Sequence, residues 1–187
     1  MKHKNYLRKI ILAACASAMT LTAHAQQPSA PAREKAACPM HKKHMAESQD
    51  RHAHDLNERG GKAMGFDQSK TTHHFRLLRD GGAIEVEAND PRDEASKGQI
   101  RRHLAHISKM FAEGDFSTPF AVHARTPSGV PELTRLKAEI TYKYEETEGG
   151  GRVRISTGDA KALAAIHEFL RFQIEDHRTG DPLEVIK

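Results

Sequence analysis

The feature that most constrains this chain is a pattern that occurs twice: an alternating run, a glycine turn, a second alternating run, then a helical stripe. Phe75 and Leu77 alternate before Arg79-Asp80-Gly81-Gly82, and Ile84, Val86 and Ala88 alternate after it. Period two around a glycine turn predicts a β-hairpin. Asn89-Asp90-Pro91 then opens a helix, with Pro91 suited to its first turn and Asp93 and Glu94 behind it. Ile100, Leu104, Ile107 and Phe111 recur at helical spacing until Gly114, with Ser108 expected off that stripe. After an irregular stretch over residues 116–129, with 120–123 read as extended, a helical turn or two is expected over 132–137. The pattern then returns. Ile140, Tyr142 and Tyr144 alternate, Gly149-Gly150-Gly151 turns, and Val153 and Ile155 alternate back. Thr157-Gly158-Asp159 opens a helix carrying Leu163, Ile166, Leu170 and Ile174, which ends near His177. The expected architecture is an α+β two-layer sandwich. Two hairpins form a four-stranded antiparallel sheet, with both helices on one face (ββα–ββα), over residues 71–187.

The chain before residue 71 reads differently. Residues 1–25 have the form of an export signal: Lys2, Lys4, Arg8 and Lys9, a short apolar run, then Ala23-His24-Ala25 as a small-x-small cleavage pattern. The run is too short to span a bilayer, which takes about 20 residues. Cleavage after Ala25 would deliver a periplasmic or secreted protein. Leu12-Ala13-Ala14-Cys15 offers lipoprotein processing at Cys15 as the alternative. Residues 26–70 read as a mobile arm. Its first ten residues are Pro, Ala and polar ones, and Leu56 is the only branched apolar residue in 36–61. So little apolar surface does not offset the entropy of ordering, so at most a transient helix over 45–59 is expected.

The signal holds four basic residues and no acidic ones, so the 29 Lys+Arg of the whole chain fall to 25, equal to its 25 Asp+Glu. A processed chain of zero formal charge lacks the basic footprint of a nucleic-acid binder. Of the two cysteines, Cys15 leaves with the signal and Cys38 is alone, so no internal disulfide braces the fold. Histidine is the enriched chemistry: eleven of thirteen remain after processing.

Three groups of candidate metal ligands follow. The arm carries Cys38, Met40, His41, His44 and Met45 within eight residues. Sulfur with imidazole suits Cu(I), and imidazole with carboxylate suits Cu(II), Ni(II) or Zn(II). Cys38-Pro39-Met40-His41 also resembles the start of a small heavy-metal-binding module of copper-handling pumps, without that module's later cysteines. On the first strand, His73 shares the face of Phe75 and Leu77 while His74 looks the other way with Arg76. On the first helix, His103, His106 and Met110 fall along the flank of the apolar stripe, a plausible half-site for copper. Bland alternatives stand beside each: a polar spacer, a core histidine bonded to a carbonyl, and a solvated helix flank.

Catalytic motifs are missing. His167-Glu168-Phe169-Leu170-Arg171 begins like a zinc-protease helix, but Arg171 stands where the second histidine belongs. Neither a nucleophile elbow nor a phosphate-binding glycine loop is present. His73, His103, His123 and His167 could still converge with a carboxylate.

Met64-Gly65-Phe66-Asp67, Thr71-Thr72-His73-His74-Phe75 and Asp80-Gly81-Gly82 resemble a family of small exported bacterial proteins of unestablished role. So does the later run from Ala165 to Ile174 with Asp176-His177, Thr179, Gly180 and Asp181. The resemblance spans about residues 56–181. Some members carry the label aspartate carbamoyltransferase. That label implies a two-domain α/β enzyme of nearly twice this length with a Ser-Thr-Arg-Thr phosphate motif, which this sequence lacks. The expectation is a metal-binding or metal-handling protein with copper favoured and zinc possible. Its partners would be the ion and another periplasmic metal-handling protein, with no nucleic acid and no membrane span. A non-catalytic small-molecule or protein interaction domain is the alternative. A hydrolase or transferase with a histidine acid–base site is the third reading.

Overall fold

Alternation decides the first hairpin. β1 (Thr71–Leu78) and β2 (Gly81–Ala88) pair antiparallel, Phe75 facing Ile84 and His73 facing Val86. β3 (Ile140–Glu146) and β4 (Gly150–Thr157) form the second hairpin, and β4 joins β2 with Ile84 facing Val153. The result is one four-stranded antiparallel sheet in the order β1-β2-β4-β3. This computed structural model describes residues 39–186, with side chains from His44 onward. The signal, Cys15, Cys38 and the first part of the arm lie outside the described residues.

Helix α2 (Glu94–Ala112) lies over β3 and β4, and α5 (Ala160–His177) over β1 and β2. Asp93 caps α2 by accepting from Ser96 N–H, so the helix starts three residues after the Pro91 expected to open it. Asp159 caps α5 through the N–H groups of Lys161 and Ala162. Ile100, Leu104, Ile107 and Phe111 are all buried, as their spacing predicts. Ser108 is buried as well, because four residues beyond Leu104 is only about 40° round the helix. On α5, Ile166, Leu170 and Ile174 are buried, joined by Ala162, Ala165 and Phe169. Leu163 is only half-buried. Gly82 lets α5 settle this closely, since a Cβ there would collide with Leu170 Cδ1 and the Arg76 carbonyl.

Two expectations are corrected. Residues 120–123 are not extended: Ser117–His123 is helix α3, followed by Ala124 in the left-handed region. Phe116, Pro119 and Val122 recur every three residues and are all buried, a helical spacing that a four-residue window does not reveal. Val130–Arg135 is the short helix α4. The second correction concerns the arm. Pro39–Met64 is a 26-residue helix, α1. Its His52, Leu56, Gly60 and Met64 recur every four residues, which sets them along one side of the helix. Leu56 is 4% exposed, and Arg59 Nε donates to Val122 O of α3 at 2.8 Å. The boundary drawn at residue 70 therefore falls inside the folded part. So little apolar surface suffices because α3 offers a surface to pack on, which composition does not show.

After α5 the chain reverses through Arg178 and Gly180, both at positive φ. Asp181 then accepts from Phe75 N–H at 3.0 Å, Thr179 Oγ1 at 2.7 Å and Arg76 Nη1 at 3.3 Å, and lies 2.9 Å from His74 Nδ1. Among the described residues no helix is long and apolar enough to cross a membrane.

Candidate histidine-lined cavity

Between the sheet and the helices is a cavity of about 50 Å³. Hydrocarbon forms most of its wall, from Phe75, Val86, Leu104, Phe111 and Phe169 among others. Set into that wall are His73, His103, His123, His177, Gln173 and Met64, from β1, α2, α3, α5 and the end of α1.

Strand alternation places His73. It shares the helix-side face with Phe75 and Leu77, and its ring stacks on Phe66 at 5.8 Å and on His177 at 5.6 Å. Its Nε2 is buried with no hydrogen-bond partner among the described residues. Burial, helped by the charge of His74, pushes the His73 imidazole down to about 4. His103, edge-on to Phe66 at 5.5 Å, is likewise pushed to about 4, by burial and then by His73 and His106. His177, the last residue of α5, is pushed to about 3 by burial and then by His73 and His123. At neutral pH all three rings are uncharged.

His123 is held differently. Its Nδ1 lies 2.6 Å from Asp176 Oδ2, and its Nε2 lies 2.9 Å from Gln173 Oε1. Asp176 also accepts from Arg125 Nη2 at 2.7 Å and faces His52 Nε2 at 3.3 Å. Burial would raise the Asp176 carboxyl, but the bonds and charges of His123 and Arg125 outweigh it and hold it low. With both ring nitrogens engaged, His123 is a tie between α3 and α5 and has no nitrogen free for a ligand. The Gln173 amide nitrogen is left buried and without a partner.

His73 and His103 thus reach one cavity, as does His123. His167 does not: its Nε2 meets the carbonyls of Leu78 and Gly81 at 2.9 and 3.0 Å and fastens the hairpin turn. The expected His103–His106–Met110 flank is divided. His106 is exposed, and Met110 packs against the core with Thr118 Oγ1 3.9 Å from its sulfur. On the arm, Met40 and His41 lie in the first turn of α1 without described side chains, and Cys38 lies outside the described residues. His44 and Met45 are exposed, His44 beside Glu47 at 3.8 Å. Among the described residues no three His, Cys, Asp or Glu side chains form a group able to hold a metal ion.

Met64, Gln173 and His177 were not among the residues read as ligands. No local pattern in the sequence singled them out, because each reaches the cavity only through the packing of separate elements. No family model, curated protein or solved structure matches this chain.

Proposed function

We propose that this chain binds a metal ion in the histidine-lined cavity, with Cu(I) favoured, and handles it in the periplasm or outside the cell. The observation that carries the reading is His73 Nε2, buried in the cavity wall without a partner. A polar atom left so costs about 1–3 kcal/mol, which a ligand would offset. Size supports an ion. Sites for drug-like molecules run to roughly 300–1,000 Å³, against about 50 Å³ here. Donor chemistry supports copper, since the Met64 thioether with the imidazoles of His73 and His103 is a soft set. Metal ligands must be deprotonated, and burial keeps these rings neutral. Two imidazoles and a thioether do not meet the tetrahedral, four-ligand preference of structural zinc, which makes zinc the lesser candidate.

The arm donors belong to a different place. At 1.5 Å per residue, His44 stands about 30 Å along α1 from Met64. In this reading Cys38, Met40, His41, His44 and Met45 form a separate capture point, of which His44 and Met45 are exposed, suited to exchange with another metal-handling protein. Competition against a chromogenic Cu(I) chelator tests the assignment. Met64→Leu and His73→Phe should each weaken one tight site by roughly tenfold or more, about 1.4 kcal/mol. Cys38→Ser with Met40→Leu should leave that site in place. Unchanged affinity in both cavity variants would sink the proposal.

A second reading rests on Gln173 Nε2, also unpartnered on the same wall. It makes the occupant a neutral molecule of a few heavy atoms with a hydrogen-bond acceptor. A melting temperature raised by small amides or alcohols, with no response to copper, would favour it.

A further inference from the structure

The two ends of the sheet differ. At the β1 end, Ile186 N–H donates to Leu77 O, and Asp181 accepts from Phe75 N–H, so the edge is covered. At the β3 end, nothing among the described residues pairs with the outer edge. Thr147 and Gly150 exchange both backbone bonds, at 3.2 and 3.3 Å. Such pairs alternate along an antiparallel ladder, so Thr141, Lys143 and Glu145 direct their backbone groups to β4. The N–H and C=O groups of Tyr142 and Tyr144, and the N–H of Glu146, point outward.

We propose that this edge pairs with the same edge of a second copy of the chain, joining two four-stranded sheets into one eight-stranded sheet about a two-fold axis at Tyr144. The backbone and the charges select that register together. Outward groups belong to even-numbered residues, so even must face even. Centring the axis on Lys143 satisfies this but sets Lys143 opposite the partner's Lys143. Centring it on Tyr142 sets Glu139 opposite the partner's Glu145. Centring it on Tyr144 sets Lys143 opposite the partner's Glu145, and symmetry repeats the pair. These fall at the closely approached positions of the ladder, where opposite charges stabilise and like charges oppose.

Lysine on an edge strand ordinarily discourages pairing; here it opposes the register centred on itself and is answered by Glu145 in the register centred on Tyr144. Tyr144 supplies an independent observation. Its ring packs against the core over Gly151 of β4, which leaves the backbone at the axis open, and this register sets the Tyr144 backbone opposite that of the second copy. A two-fold contact of this kind uses one patch twice, the commonest plan for a homodimer. One strand edge is a narrow contact, below the standard interface size, so the dimer should be reversible and dependent on concentration.

Sedimentation velocity on the full chain over a micromolar range tests this. The wild type should shift from monomer to dimer as concentration rises. Lys143→Glu and Glu145→Lys should each be monomeric alone, because each sets like charges opposite one another. Their equimolar mixture should recover the dimer, because each supplies the charge the other lacks. Glu145 also bonds Arg152 at 2.6 Å, so Tyr144→Pro serves as a second variant. It removes the outward N–H at the axis without touching the β4 ladder, and it should be a folded monomer by circular dichroism. A wild type monomeric throughout, or single-charge variants that dimerise unmixed, would overturn the proposal. So would a dimer that forms only after residues 1–37 are removed, since the chain's own leader would then cover the edge.

Discussion

His73 and His74 are neighbours in β1, yet they belong to different regions of the molecule. His74 lies on the open face, 2.9 Å from Asp181, within a lattice of charges. There Arg76 meets Glu85 at 3.5 Å, and Arg152 meets Glu145 at 2.6 Å and Glu85 at 3.3 Å. His73 lies under the helices, where Nε2 and the Gln173 amide nitrogen have no partner. On the open face opposite charges and solvent answer the exposed polar groups, so the exposed pairs contribute little stability, and Asp181 alone among the groups named is buried there. On the covered face a polar group has only what the fold places beside it. The difference locates the region worth testing for a ligand: the face where polar atoms remain unanswered.

The largest effect expected from that difference is on packing. Leu104→Ala and Leu170→Ala, both on the covered side and at most 1% exposed, should each cost about 2–5 kcal/mol in urea unfolding. A near-neutral result would mean that the helix layer does not seal this face.

Acid should distinguish the faces next. His73, His103 and His177 have folded values of about 4, 4 and 3, below the ordinary 6.5. The unfolded chain therefore binds more protons between these limits, and stability rises with pH across that window. Their contribution is fully present above about 6.5 and is lost as pH falls toward 4 and then 3. His73→Phe in metal-free protein should flatten the slope of stability between pH 4 and 6.5. An unchanged slope would show that His73 is not held neutral by burial.

The smallest effect belongs to the open side. Asp181→Ala removes the acceptor for Phe75 N–H and Thr179 Oγ1 and the neighbour of His74. It should cost about 1–3 kcal/mol, the range for leaving buried partners unpaired. Amide exchange should quicken at Phe75 and Leu77 before the helices loosen. If the helices exchange equally fast, the strap is part of the core.

Both hairpins and both long helices were legible because their signals are local. Period two and period 3.6 are written into runs of seven to nineteen residues, and Asp159, read as opening its helix, is the residue that caps it. Failures came where the signal was short or the partner distant. Helix α3 is one such case, since Phe116, Pro119 and Val122 span barely two turns. Helix α1 is another, since Leu56 and Arg59 mean nothing until α3 is beside them. The site shows the same split. His73 could be placed on the inner face from strand alternation, whereas His103, His106 and Met110 fell together on one flank of a helical wheel and the structure separates them, leaving His106 exposed. Nothing local told which flank of α2 would meet Phe66.

By itself, then, the sequence determined the four strands, the helices α2 and α5, and which side of each is apolar, because backbone geometry ties side-chain direction to position within an element. Only the tertiary structure decided that β4 would join β2, and that α5 would lay His177 against His73 more than one hundred residues away. It also decided that Met64 would close the same cavity from the end of α1. Those contacts depend on how whole elements pack, and packing is settled by the complementarity of surfaces that do not exist until the elements have formed.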